Sequence, residues 1–422
     1  MNRKKNKIYI IDVTNRDGVQ TSRLGLAKLE KTIINLYLNE MGIHQSEFGF
    51  PFTDHETNYL KANLELAERG VLRPIILSGW CRAVKDDVEK AYQLGLKHIN
   101  ISISTSEQMT KGKFGNRVVR YPREDPSRPS IIGMMVEALD EAKKREMKAG
   151  VNAEDASRTD DEFLIEFARM AKQHGADTIR YCDTLGCDDP PTIYRRVKNL
   201  AQEIQLPIEI HTHNDLGMAV ACALAGAKGA IDGGVDAYIN TTINGMGERT
   251  GNADLVSVIL ALRKSSGTKK LNLLEARVDL SQAWRIAKYT SYAFGVPIPI
   301  NQVGVGDNAF AHESGIHADG ALKDRRNYEL YDFQELGRGE PEMVETGRKI
   351  TTGEYGGIKG FRNVYEKLEI KFKNEREACT ILELARYANV HTQKPLVSDE
   401  LLFIARYPEQ ARKILTVAPP SS

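Results

Sequence analysis

His211 and His213 stand one residue apart in the run His211-Thr-His213-Asn214-Asp215. On an extended strand side chains i and i+2 share a face, so both imidazoles can reach one ion. A lone histidine is more often a core or surface residue, but this pair has partners to choose from. Asp12-Val-Thr-Asn-Arg16-Asp17-Gly18-Val-Gln20 offers a carboxylate in Asp17, and Asn244-Gly-Met-Gly-Glu248-Arg249-Thr-Gly-Asn252 offers an amide oxygen in Asn252. A carboxylate, two imidazoles and an amide form a mixed donor set. It suits Zn²⁺, Mn²⁺, Co²⁺ or Mg²⁺ with positions left open for a substrate, not a closed structural zinc site. Asn252 has a second reading, as the N-cap of the helix that follows. Asn152-Ala-Glu154-Asp155 and Asp183-Thr184 add further polar groups. Gly245–Gly251 lacks the Lys-Ser/Thr of a phosphate loop. Cys182 and Cys187, five apart, read as packing thiols.

These residues fall at the ends of short β-rich runs: Tyr9–Thr14, Gln45–Phe50, Pro74–Trp80, Ile99–Ser104, Ala149–Asp155, Thr178–Thr184, Ile208–Asn214 and Ala237–Thr242. Between them, segments such as Leu26–Met41, Glu56–Arg69, Ile131–Met147, Glu162–His174, Thr192–Gln205 and Asp215–Gly233 show helical periodicity, and Ala253–Lys264 closes the series. Eight strand–helix units within about 265 residues predict a (β/α)₈ barrel, with its site at the C-terminal ends of the strands. The polar groups above converge there. Glu107–Pro129 breaks the beat with Lys111, Lys113, Arg117, Arg120, Arg123 and Arg128. It reads as a solvated loop, or as a mobile one whose cations meet an anionic ligand at the mouth. The expected division is a catalytic barrel over 1–266, a linker and accessory segment over 267–340, and a helical subdomain over 341–422. Leu271–Phe294 looks helical.

Composition narrows the function classes. The 422 residues carry 58 Lys+Arg against 57 Asp+Glu, a formal charge of +1. That leaves no global field to draw nucleic acid or an anionic membrane. Mean hydropathy is −0.40, and no apolar run approaches the ~20 residues of a membrane span. The basic start, Met1 to Lys7, leads into one short strand and reads as no signal peptide. Five scattered cysteines suit free thiols in a reducing, cytoplasmic compartment.

Four motifs stand in order: Asp12-x-Thr-x-Arg16-Asp17-Gly-x-Gln20, His211-x-His213-Asn-Asp-x-Gly217, Asn244-Gly-x-Gly-Glu-Arg-x-Gly-Asn252 and His312-Glu-Ser-Gly-Ile-His317-Ala-Asp-Gly320. So arranged, the chain resembles the 2-isopropylmalate, homocitrate and citramalate synthases over about residues 8 to 340. Asn15 stands where these usually have Leu, and the wider opening, through Thr21-Ser-Arg-Leu-Gly-Leu26, is similar to the Re-face citrate synthases. The chain ends too soon for the leucine-sensing domain of the isopropylmalate synthases, which speaks against leucine regulation.

The resemblance implies metal ligands Asp17, His211, His213 and Asn252, with Arg16 donating to the oxyanion formed on a 2-oxo acid. It implies acetyl-CoA as the second substrate and points to His317, with Glu154 and Tyr328 nearby, for its deprotonation, with the choice among the three left open. His312 would support His317 rather than react. Thr184 would bind the 2-oxo acid carboxylate, and Arg158 is the candidate for a distal carboxylate. Because His317 lies outside the barrel, the accessory segment must reach over a mouth, and the resemblance implies a homodimer in which it reaches the partner's. The expected reaction is a Claisen condensation of acetyl-CoA with a 2-oxo dicarboxylic acid, followed by thioester hydrolysis. Oxaloacetate comes first and 2-oxoglutarate second, with isopropylmalate or citramalate synthesis as alternatives. A 3-hydroxyacyl-CoA lyase is the competing class, and His312–Gly320 argues against it because the lyases lack that motif.

Overall fold

The computed structural model describes residues 5–114, 127–342, 347 and 349–417. Its strands are β1 (Ile8–Asp12), β2 (Gln45–Gly49), β3 (Ile76–Arg82), β4 (His98–Ser104), β5 (Lys148–Glu154), β6 (Thr178–Asp183), β7 (Ile208–Thr212) and β8 (Ala237–Thr241). Each pairs in parallel with the next, and β1 pairs with β8, so the eight close into a barrel. The barrel expected from the βα beat is the barrel observed.

Around it run α1 (Lys28–Glu40), α2 (Thr57–Glu68), α3 (Lys85–Gln93), α4 (Glu107–Phe114), α5 (Arg128–Lys144), α6 (Asp161–Gln173), α7 (Pro190–Ile204), α8 (Ala219–Asp232) and α9 (Leu255–Lys264). Local sequence explains their limits. In α7 the Asp189 side chain accepts from the Thr192 amide at 2.8 Å, and two prolines fill the first turn, where no amide partner is needed. Ile193, Val197, Leu200 and Ile204 then repeat at three- and four-residue spacing and are buried against the sheet. None of the helices among the described residues is long and apolar enough to cross a membrane.

Two expectations need correction. Glu107–Phe114 is helical, not a loop; Arg117, Arg120 and Arg123 lie outside the described residues. In Leu271–Phe294 the helix α10 occupies only Ala283–Phe294. The backbone before it is used elsewhere, since the Ile8 amide donates to Leu273 and the Glu275 amide to Ile8. Asp279 then caps a short turn that leads into α10.

Beyond α10 come α11 (Gly315–Lys323), α12 (Ile358–Lys367), α13 (Glu375–Thr392), α14 (Ser398–Arg406) and α15 (Pro408–Leu415). The last helices lie against α1 and α2. Tyr37 donates to Asp399 at 2.6 Å, Lys394 to Glu30 at 3.0 Å and Arg69 to Gln410 at 3.0 Å.

The barrel interior departs from the usual filling of branched apolar residues. Glu47 on β2, Arg180 on β6 and Glu209 on β7 are all buried inside it. Arg180 donates to Glu209 at 2.7 Å and to Glu47 at 2.8 Å. Pairing of each charge with an opposite one is what makes such burial tolerable, because an unpaired charge there would carry its whole desolvation cost.

Candidate active site at the barrel mouth

Strand parity sets the site. Cys182 pairs in register with His211, and both line a mouth cavity of about 280 Å³ with Arg16, Asp17, Glu154, Thr184 and His213. Asp17 follows β1 in a turn that puts its amide on the Val13 carbonyl at 2.7 Å. Its Oδ2 then lies 3.2 Å from His211 Nε2 and 3.8 Å from His213 Nε2, and the two ring nitrogens are 3.3 Å apart. Ligands held at about 2.1 Å from one ion sit roughly 3.0–3.5 Å from each other, so these three atoms fit a single divalent cation.

Asn252 lies against this cluster. The N-cap of α9 is Asp254, which accepts from the Ser257 amide at 2.8 Å, so the capping reading of Asn252 falls. Asn252 Nδ2 lies 3.0 Å from Asp17 Oδ2, and its Oδ1 is buried without a partner among the described residues. Amide nitrogen and oxygen exchange on a half-turn of the side chain, and that exchange would turn the orphaned oxygen toward the three other donors. A Cβ at Gly247 would stand 1.9 Å from Asn252 Oδ1, so the glycine is what leaves the amide its place.

Electrostatics suit a cation. Burial pushes the Asp17 carboxyl upward, but Arg16 and the two histidines outweigh it and hold it well below the usual range. Burial, and then His211 beside it, bring His213 down to about 4, so that ring keeps a free lone pair at neutral pH. Among the described residues Nδ1 of both rings meets no acceptor, which leaves each tautomer free to follow whatever Nε2 binds.

Arg16 is held by two carboxylates. Its Nε donates to Glu47 at 2.6 Å and its Nη1 lies 3.2 Å from Asp17. Glu154 accepts from Ser104 at 2.5 Å and from Lys113 of α4 at 2.6 Å. Thr184 Oγ1 accepts from the Asp155 amide at 2.9 Å, and among the described residues no other hydrogen bond engages its hydroxyl.

Three expected residues lie elsewhere. Arg158 follows β5 on a short turn, where Asp155, at φ 64°, holds it through Nε at 3.0 Å and Nη2 at 2.7 Å. It lines a separate cavity with Thr105, Lys111 and Arg128. His317 and Tyr328 stack on one another with ring centroids 4.3 Å apart, and both are exposed. Neither is among the residues that line the mouth of its own barrel, where Glu154 sits. His312 is bonded to Glu329 at 3.2 Å. Of the two thiols expected to pack, Cys182 is buried at the mouth, whereas Cys187 is exposed and bonded to Ser157.

Sequence reading passed over Glu47, Arg180 and Ser104. Their signal was a charged or hydroxyl residue at an inward position of a barrel strand.

The HMGL-like family is matched over residues 7–289, and the homocitrate synthase post-HMGL domain-like family over residues 305–391. The chain is 58% identical to the Citrate (Re)-synthase of Dehalococcoides mccartyi over 417 residues, covering 98% of this chain and 99% of that one. It is 39% identical to 2-isopropylmalate synthase 2 of Caldanaerobacter subterraneus over 402 residues, 95% and 96% of the two chains. An HMG-CoA lyase structure from Acinetobacter baumannii, in complex with coenzyme A and 3-methylmalate, superposes with a TM-score of 0.56 at 15% identity. It covers 74% of this chain and 100% of that one. That last likeness is one of fold.

Proposed function

Because the chain belongs to the HMGL-like family, among its 2-isopropylmalate, homocitrate and citrate (Re) synthases, we propose that it condenses acetyl-CoA with oxaloacetate to citrate. The near full-length 58% identity to a Citrate (Re)-synthase carries the choice of acceptor. The acetyl methyl loses a proton, its carbon bonds to the ketone carbon of oxaloacetate, and the oxygen there gains a proton. Water then cleaves the thioester, giving citrate and free coenzyme A.

Asp17, His211, His213 and Asn252 would hold a divalent metal, Mn²⁺, Zn²⁺, Co²⁺ or Mg²⁺, which acts when bound as a Lewis acid on the 2-oxo acid. Arg16, aimed by Glu47, donates to the oxygen that gains charge as the new bond forms. The Thr184 hydroxyl donates to the 2-oxo acid's carboxylate. The cavity takes a small acid, so the bulk of coenzyme A lies outside it along the open mouth.

Proton abstraction falls to His317 with Tyr328, delivered by a second copy of the chain to the Glu154 of this one. Their absence from the lining of their own mouth supports a homodimer, as does the apolar surface around them: Ile316 is 75% exposed, Leu322 88% and Leu330 70%. Residues 1–266 act as the catalytic barrel, 267–340 as the segment that reaches across, and 341–422 as the helical brace. We place the reaction in the cytoplasm, where five unpaired thiols are stable.

The test is thiol release from acetyl-CoA with Mn²⁺, across oxaloacetate, 2-oxoglutarate, pyruvate and 2-oxoisovalerate. Release with oxaloacetate, and citrate as product, is expected. Release with 2-oxoglutarate alone would make the chain a homocitrate synthase instead.

A further inference from the structure

Ser102, Asn152 and Arg180 are ladder neighbours on β4, β5 and β6: Ser102 pairs with Asn152, and Asn152 with Arg180. All three line the mouth cavity and are at most 5% exposed. They lie one side-chain layer beneath the histidines, because Arg180 is two residues before Cys182, the register partner of His211. Two residues of strand are about 6–7 Å.

What sets this layer apart is unused hydrogen-bonding capacity. Among the described residues the Ser102 hydroxyl and the Asn152 amide find no hydrogen-bond partner, and Asn152 Oδ1 is a buried atom without one. Arg180 spends three donor contacts, Nε on Glu209 and the two terminal nitrogens on Glu47. A guanidinium has five N–H groups, so two remain. Glu47 and Glu209 fix the guanidinium plane, and no other acid among the described residues bonds to it. A hydroxyl, an amide and a fixed guanidinium edge in one row are what a carboxylate requires.

We propose that Ser102, Asn152 and Arg180 form the subsite for the acceptor's second carboxylate, and so select a 2-oxo dicarboxylic acid over a monocarboxylic one. The proposal rests on the condensation reading above and assigns the role expected of Arg158 to a different arginine. Arg158 is committed to Asp155 in a neighbouring cavity.

Two double variants test it, Ser102→Ala with Asn152→Ala, and Arg180→Gln with Glu209→Gln. The second removes a charge pair together so that Glu47 keeps Arg16. Thiol release is measured with oxaloacetate and with 2-oxobutyrate, in which a methyl replaces the second carboxylate, and circular dichroism and Mn²⁺ stoichiometry check the fold. kcat/KM for oxaloacetate should fall about a hundredfold while that for 2-oxobutyrate moves less than about threefold. If the arginine variant does not fold, the Ser102/Asn152 variant decides alone. An equal fall for both acceptors, or an unchanged preference, overturns the subsite while the citrate reading stands. Wild-type release with monocarboxylic acceptors only would overturn both.

Discussion

Arg16 donates from Nε to Glu47 at 2.6 Å while its Nη1 lies 3.2 Å from Asp17, so the carboxylate beneath aims the arginine and the arginine steadies the carboxylate beside it. Burial alone would push Glu47 up; Arg180, and then Arg16, outweigh it and hold Glu47 at about 2. The mouth is thus built on an ionic layer whose members are legible only as a set.

Glu47→Gln leaves two buried guanidiniums with one fewer carboxylate between them. Breaking a buried pair in this way typically costs about 3–5 kcal/mol, and urea unfolding should show a loss of that order. A change below about 1 kcal/mol would mean that water reaches the layer and shares the charge.

His213→Ala removes one of the three converging donors while leaving the strand intact. The variant should keep its circular dichroism spectrum and lose most bound metal, by roughly tenfold or more in stoichiometry after dialysis. Full occupancy would refute the donor assignment.

His317→Ala should bind metal normally and turn over at least about a hundredfold more slowly. Mixed with His213→Ala after dissociation and reassociation, it should recover activity, because mixed dimers would contain one mouth with both an intact metal site and an intact histidine. Failure of the mixture to exceed either parent would place the histidine and the metal site in the same chain.

Glu400 gives a pH signature unrelated to catalysis. It is fully buried beside Tyr289, and burial pushes it up to about 7 against the hydrogen bonds from Val397 and Tyr289. In the unfolded chain it titrates near ~4.3. Between these values the native state holds the extra proton, so this contribution to stability is full at pH 4 and is lost as pH rises through 7. Glu400→Gln, which keeps the neutral form, should match wild type near pH 4.5 and exceed it by about 3 kcal/mol at pH 8. Parallel urea midpoints at the two values would contradict this.

The sequence carried the barrel because strand and helix periodicities alternate locally, and each of the eight runs is a strand within a few residues. It carried the His211/His213 geometry because parity on a strand needs no tertiary knowledge. The place of Arg158 was not legible, because its contact to Asp155 three residues earlier depends on a left-handed residue that the letters do not reveal. Asn252 was ambiguous for a similar reason, since only the observed cap at Asp254 frees it. Glu47 and Arg180 were visible as charges at inward positions, but their partners lie 29 to 133 residues away in sequence.

The bonds from the last helices to α1 and α2 bear on how the chain comes off the ribosome. Lys394 meets Glu30 and Gln410 meets Arg69 across 364 and 341 residues. The first two βα units therefore wait, uncovered on that side, until nearly the whole polypeptide has been made. At about 5–20 residues per second that wait is on the order of 20 to 70 seconds. During that interval α1 and α2 offer apolar surface to chaperones or to other nascent chains, and truncations that spare every residue of the mouth should still lower the yield of folded protein.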